Sequence, residues 1–327
     1  MVRLGYALSS EEHEPRELVR FARAAEDSGF GFAFISDHFH PWIGRQGHSP
    51  FVWSVIGAIA QSTERLQLGT AVTCPLIRIH PALVAQAAAT SAGLMPGRFV
   101  LGLGTGENLN EHILGDRWPP PDERLRMLEE SMAVIRELWS GEEVTFRGDF
   151  YVVEGARIYS LPDELPPIAV AASKKKAARL AGSAGDALIS VAPDEEVVTA
   201  FRQAGGEGKP CYAQLHACWA ESEEEGRRLA HEIWPNVAIP GALGQELARP
   251  LYFEQAAQTV REEDVAENVP CGPDPALHVE HLQRFVDAGF DHVFVHQIGP
   301  NQEEFLRFYA HEVRPRLESA NDRRAAA

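Results

Sequence analysis

The heptapeptide SDHFHPW, Ser36 to Trp42, follows the apolar run FGFAFI and gathers a carboxylate (Asp37), two imidazoles (His38 and His40) and an indole (Trp42). Three readings suit these residue types: an HxH metal chelate at a strand end, an imidazole general base, or an ordinary polar turn. The metal reading needs three or four convergent ligands. The fifth and sixth strand-like segments end in VAAS and SVAP, without imidazole or carboxylate. No metal is therefore expected, and His40, which precedes Pro41, reads as a loop residue.

A second stretch, GLGTGE from Gly102 to Glu107, invites comparison with nucleotide-binding glycine motifs. The spacing is GxGxG, and a dinucleotide fold would place such a motif on its first strand. Glycines that let the chain turn sharply at a barrel rim explain it equally well. A carboxylate aimed into a cavity by such a turn, Glu107, would have its ionisation tuned by desolvation. A third stretch, Lys174-Lys175-Lys176, opens a helix at the pole where the macrodipole disfavours cations. A nearby anion would offset the mismatch, and the free backbone N–H groups there suit phosphate; a solvated helix start is the alternative.

The elements that must position these residues follow from periodicity. Apolar runs such as RLGYALS, FGFAFISD, LQLGTAVT and RFVLGLGTG alternate with amphipathic helical segments, and four further pairs end at DHVFVHQIG and EEFLRFYAHEVRPRL. Continuous apolar strands between amphipathic helices mean a parallel sheet covered on both sides. Eight such units predict an α/β fold, a closed (β/α)8 barrel forming one domain over residues 1–318, whose catalytic groups lie at the C-terminal strand ends. Those ends carry Asp37-His38, Thr73-Cys74-Pro75, Thr105-Gly106-Glu107-Asn108 and Ala172-Ser173-Lys174. Two segments exceed ordinary connections, 140–165 with a hairpin pattern and 235–276 with a helical piece at 252–261; such insertions cover active sites or form oligomer contacts. The tail 319–327 reads as frayed.

Composition narrows the function. With 30 Lys plus Arg against 47 Asp plus Glu, the formal charge of −17 disfavours nucleic acid or an anionic membrane as partner. The first residues lack a signal-peptide pattern and no apolar run is long enough to span a membrane, so a cytoplasmic location is expected. Cys74, Cys211, Cys218 and Cys271 form no CxxC pair and read as small core or loop residues.

With SDHFHPW, TGENLNE, ELWSGEEVTFRGDFY and QIGPNQEEFLRFYAHEVRPRL in view, the chain resembles the deazaflavin-dependent branch of the luciferase-like flavin oxidoreductases. It is most similar to the glucose-6-phosphate dehydrogenases that use coenzyme F420. The resemblance implies a homodimer of barrels that takes a small-molecule substrate and transfers hydride between a CH–OH carbon and coenzyme F420. The ring would lie beside Asp37, His38, Val72, Glu107 and Asn110, with Cys74, Thr105 and Gly106 completing its site. The bond before Val72 would be a non-proline cis peptide, and the cofactor phosphate would rest near Ala171, Ala172, Ser173 and Lys174. His38 would be the general base, Glu107 an acid or electrostatic partner, and Trp42 the pocket wall; Glu11, His40 and Val191 are further pocket candidates.

The chain departs from the sugar-phosphate enzymes where they grip phosphate. Their Thr-Ser-Gly-Lys stretch is replaced by Val191-Ala192-Pro193-Asp194, and a second family lysine falls at Gln255. The expectation is an acidic group where a phosphate would need a cation, and hence a neutral alcohol as substrate. If phosphate is recognised after all, Arg249 and Lys209 are the nearest replacement cations. Two other classes remain open: a monooxygenase using flavin mononucleotide (FMN) on the same barrel, and a deazaflavin carrier without catalysis.

Overall fold

In the computed structural model, which describes residues 2–325, ten strands form: β1 Arg3–Leu8, β2 Phe32–Ile35, β3 Gln67–Thr70, β4 Phe99–Leu103, β5 Val144–Arg147, β6 Val152–Ala156, β7 Ile168–Ala171, β8 Ala187–Ser190, β9 Cys211–Ala217 and β10 His292–Gln297. Eight close into a barrel in the order β1-β10-β9-β8-β7-β4-β3-β2. The pairings are parallel, with Tyr6 facing Val295 on one side and Ala33 on the other. This is the (β/α)8 barrel that the alternation predicts.

Local sequence explains the helices. Pro15–Asp27 starts with proline in its first turn and a reciprocal Glu14/Glu17 capping arrangement, and it buries Leu18, Phe21, Ala22 and Ala25 at helical spacing. Inside the barrel, Phe32, Phe34, Tyr212 and Phe294 pack edge to face or tilted with centroids 4.9–5.9 Å apart. Such pairs stabilise beyond the area they bury. They plug the barrel interior, and Phe34 and Phe294 floor a cavity above them.

The two long segments behave differently. β5 and β6 make the expected antiparallel hairpin, held from outside by the Glu130 carboxylate, which accepts N–H bonds from Asp149, Phe150 and Tyr151. Residues 235–276 fold into short helices, among them Leu243–Glu246 and Pro250–Ala257, and cross the barrel mouth. The closing helix Arg314–Ala325 takes in residues 319–325, against the frayed tail expected; Leu317 is buried, and Arg, Glu and Ala are good helix formers. Residues 326 and 327 of that tail lie outside the described residues. Among the described residues no helix is long and apolar enough to cross a membrane.

Candidate active site

A cavity of about 570 Å³ opens at the C-terminal face of the barrel. Its floor is Phe34, Ile189 and Phe294, and residues following β1, β2, β3, β4, β7, β8 and β9 make its walls. Of the expected residues, Glu11, His38, Trp42, Val72, Thr105, Gly106, Glu107, Ala171, Ala172, Ser173 and Val191 line it.

His38 follows β2, and its Nδ1 lies 3.3 Å from Glu11 Oε1. The angle is out of line for a hydrogen bond, which leaves Nδ1 without a bonded partner. Once the ring is protonated, Coulomb attraction to Glu11 acts despite that misalignment because it depends on distance, and such contacts tighten when substrate binds. Glu11 is held from behind: its Oε2 accepts from Ser9 Oγ at 3.0 Å and Ser36 Oγ at 2.7 Å. The Trp42 ring sits 5.0 Å from that of His38, and Phe253 of the insertion backs Trp42 at 5.2 Å.

Pairing of β3 ends at Thr70 and resumes as a single bridge between Thr73 and Leu103. Between them the Ala71–Val72 peptide is cis, as the resemblance implies, and both residues face the cavity. Two glycines of GLGTGE answer this shape. A Cβ on Gly104 would run into Val72, and Gly106 takes φ +70°, where a Cβ would run into Cys74. Both allow close backbone approach at the rim.

Several expected contacts belong instead to the supports. Asp37 is buried behind the wall, where it accepts from Thr73 Oγ1 at 2.7 Å and from Arg78 at 2.9 Å. Cys74 is covered by Gly106. Asn110 Oδ1 accepts the Phe39 and His40 N–H groups at 2.9 and 3.2 Å, and its Nδ2 donates to Glu107 Oε2 at 3.4 Å. His40 turns away, with Nδ1 on the Leu109 carbonyl at 3.0 Å and its ring stacked on His112.

The phosphate-site expectations change as well. Asp194 does not face the cavity; its carboxylate caps the helix Glu195–Phe201, accepting from Glu196 and Val197 N–H. Gln255 is exposed on the insertion. Lys209 is committed to the Gly182 and Gly185 carbonyls. Lys175 and Lys176 pair with Glu196 and Asp122, which supply the anions that offset the helix pole; Lys174 is the exposed N-cap and does not line the cavity. Among the described residues no group of three His, Cys, Asp or Glu is placed to hold a metal ion.

Sequence reasoning passed over Arg78, Glu111, Ser190, Glu12, His216 and His296. The last two close β9 and β10, and the rule of inspecting strand ends would have found them. His216 lines the cavity, and burial beside His296 pushes its pKa down to about 3. Burial raises Glu111, and the Arg78 contacts offset only part of that rise.

The profile of the luciferase-like monooxygenase family matches residues 1–292. The chain belongs to this family. It is 37% identical to the F420-dependent glucose-6-phosphate dehydrogenase of Microbacterium testaceum, over 97% of each chain. It is 38% identical to that of Beutenbergia cavernae, over 97% of this chain and 98% of the other. A solved structure, an F420-dependent secondary alcohol dehydrogenase in complex with an F420-acetone adduct, superposes with a TM-score of 0.90 at 28% identity, over 97% of this chain and 99% of that one.

Proposed function

We propose that the chain transfers hydride between the carbinol carbon of an alcohol or sugar-type substrate and coenzyme F420. The observation that carries this reading is Glu11, His38 and Trp42 on one wall of a cavity in a chain so similar to F420-dependent dehydrogenases. The residues suit a planar ring with polar edges. Ala71, Val72, Gly104, Ala171 and Ala172 offer a flat apolar bed, and Ser190 Oγ, buried without a partner, gives a ligand a polar group to satisfy.

When bound, the deazaflavin supplies two-electron hydride chemistry. His38 takes the hydroxyl proton at Nε2, while Glu11 beside Nδ1 stabilises the imidazolium that forms. Trp42 walls off water and places an aromatic face near that cation. Glu107, tied to the His38 loop through Asn110, is the acid or electrostatic partner at the ring. Backbone at Ala171 to Ser173 holds the phosphate-bearing arm.

Neutral substrates suit the site better than phosphorylated ones. Among the described residues no lysine lines the cavity, and the arginine that does, Arg284, is paired with Glu280. Titration should show F420 binding more tightly than FMN, and His38→Ala should lower turnover about 10²–10⁴-fold with F420 affinity kept. Tighter FMN binding, with oxygen consumed by the reduced protein, would instead support the monooxygenase reading.

Homodimer assembly belongs to the same proposal. Pro15, Val19, Pro50, Phe51, Val55 and Ala58 line an apolar groove, with Phe51 59% exposed. Light scattering should give twice the chain mass, and Phe51→Glu should shift it toward one chain.

A further inference from the structure

Two acidic residues follow β1 in direct succession and serve opposite neighbours. Glu11 meets His38 after β2, whereas Glu12 turns to β10, the strand on the other side of β1. Glu12 Oε1 lies 2.6 Å from His296 Nε2 and also accepts from Trp234 Nε1, and Oε2 accepts the Gly299 N–H at 2.8 Å. His296 Nδ1 lies 2.8 Å from His216 Nδ1 on β9. Glu12 is buried behind the wall; His296 and His216 both line the cavity, His296 almost fully covered and His216 more open beside Trp234. Its Nε2 has no protein partner and is not shut away from the cavity.

Hydrogen counting ties the direction of this chain to the charge on His296. Burial alone would raise Glu12, but the contact with His296 and the Gly299 N–H outweigh it, and the group stays a carboxylate that only accepts. His296 must therefore present Nε2–H. When that ring is neutral its Nδ1 is a lone pair, and His216 then donates Nδ1–H and keeps its own lone pair at Nε2; an imidazolium at His296 would instead donate to His216 and leave Nε2–H there.

We propose that Glu12, His296 and His216 set the tautomer of His216 so that Nε2 offers a hydrogen-bond acceptor to a second hydroxyl of the substrate, which makes the substrate class a neutral polyol or sugar. The inference rests on the hydride-transfer reading. His38 serves the reacting hydroxyl, and β9 stands three places round the barrel from β2. A ligand that satisfies both imidazoles carries two hydroxyls. A monohydric alcohol leaves the Nε2 lone pair without a donor, and an unmet polar group in a partly dry site discriminates strongly. His216 is then a specificity-determining residue, and Glu12 and His296 position it.

The test compares kcat/KM of the F420-loaded enzyme for glycerol and sorbitol against isopropanol. The wild type should favour the polyols. His216→Phe should lower the polyol-to-isopropanol ratio at least about tenfold, mainly through KM, as expected for one lost hydrogen bond, and His216→Gln, which keeps an acceptor, should restore part of it. Nitrogen NMR of the His216 ring at neutral pH should show Nδ1–H with a bare Nε2 that shifts on polyol addition. A ratio unaltered in His216→Phe, or a ring carrying Nε2–H, overturns the proposal. If no alcohol is oxidised, the hydride-transfer reading fails, and the ring tautomer with its response to polyol still decides the role of His216. The NMR arm on wild-type protein also decides the matter should His216→Phe not fold.

Discussion

Glu11 has two oxygens with separate duties. Oε2 is occupied by the hydroxyls of Ser9 and Ser36, so Oε1 is the atom that faces His38. Glu11→Gln keeps the shape and can keep the serine contacts, but it removes the charge that favours an imidazolium. We expect kcat to fall about 10²-fold with little change in F420 affinity, measured by steady-state kinetics and cofactor titration; an unchanged kcat would place the base elsewhere. Asp194 carries the opposite expectation. As a helix cap that does not line the cavity, Asp194→Ala should lower stability by about 1 kcal/mol and leave discrimination against glucose 6-phosphate where it was. That result would separate its structural role from the electrostatic one that sequence assigned to it. The stretch Asp194-Glu195-Glu196-Val197 already carried the cap signal, an acidic residue ahead of an apolar-periodic run; family correspondence drew attention away from it.

Three loops behave as one element because a single guanidinium joins them. Arg78, after β3, donates to Asp37 in the β2 loop at 2.9 Å and approaches Glu111 after β4 at 3.5 Å, while its own N–H reaches Glu111 at 2.8 Å. Burial by itself would lower its pKa, but Asp37 and Glu111 raise it, so the cation is locked in place. Arg78→Met strands two buried carboxylates, and we expect about 3–5 kcal/mol of lost stability together with reduced turnover. Adding Asp37→Asn should recover part of the loss, read from urea midpoints of the single and double variants. These links span 33 and 41 residues in sequence, which is why no local pattern announces them. The motifs SDHFHPW and GLGTGE were legible because strand-end position and residue type suffice to nominate them. The division of labour within them was not, since whether Asp37 or His38 faces the cavity depends on what fills the space behind.

The whole molecule holds several histidines neutral, and that makes its stability depend on pH. Burial lowers His216 to about 3 and His278 to about 4, the second sitting between the Tyr309 hydroxyl and the Gly272 carbonyl. In the unfolded chain both titrate near 6.5. Between the folded and unfolded values the unfolded state binds more protons, so stability falls as pH drops below about 6.5 and is level above it. Each group adds a slope approaching about 1.4 kcal/mol per pH unit, hence about 3 together. Glu12, whose folded value is lowered, adds its loss only at more acid pH, below the ordinary carboxylate range. The formal charge of −17 acts in the other direction, since protonation relieves self-repulsion. At physiological salt that repulsion is screened beyond about 8 Å, whereas the buried imidazoles are not, so the histidines should win. Urea unfolding between about pH 5 and 6.5 should therefore give steadily lower stability toward acid. His278→Phe should remove its own part of that slope, up to about 1.4 kcal/mol per pH unit, the remainder coming from His216 and from His13 and His281, which burial also lowers; a slope identical to wild type would mean that His278 is not the neutral buried group its surroundings require.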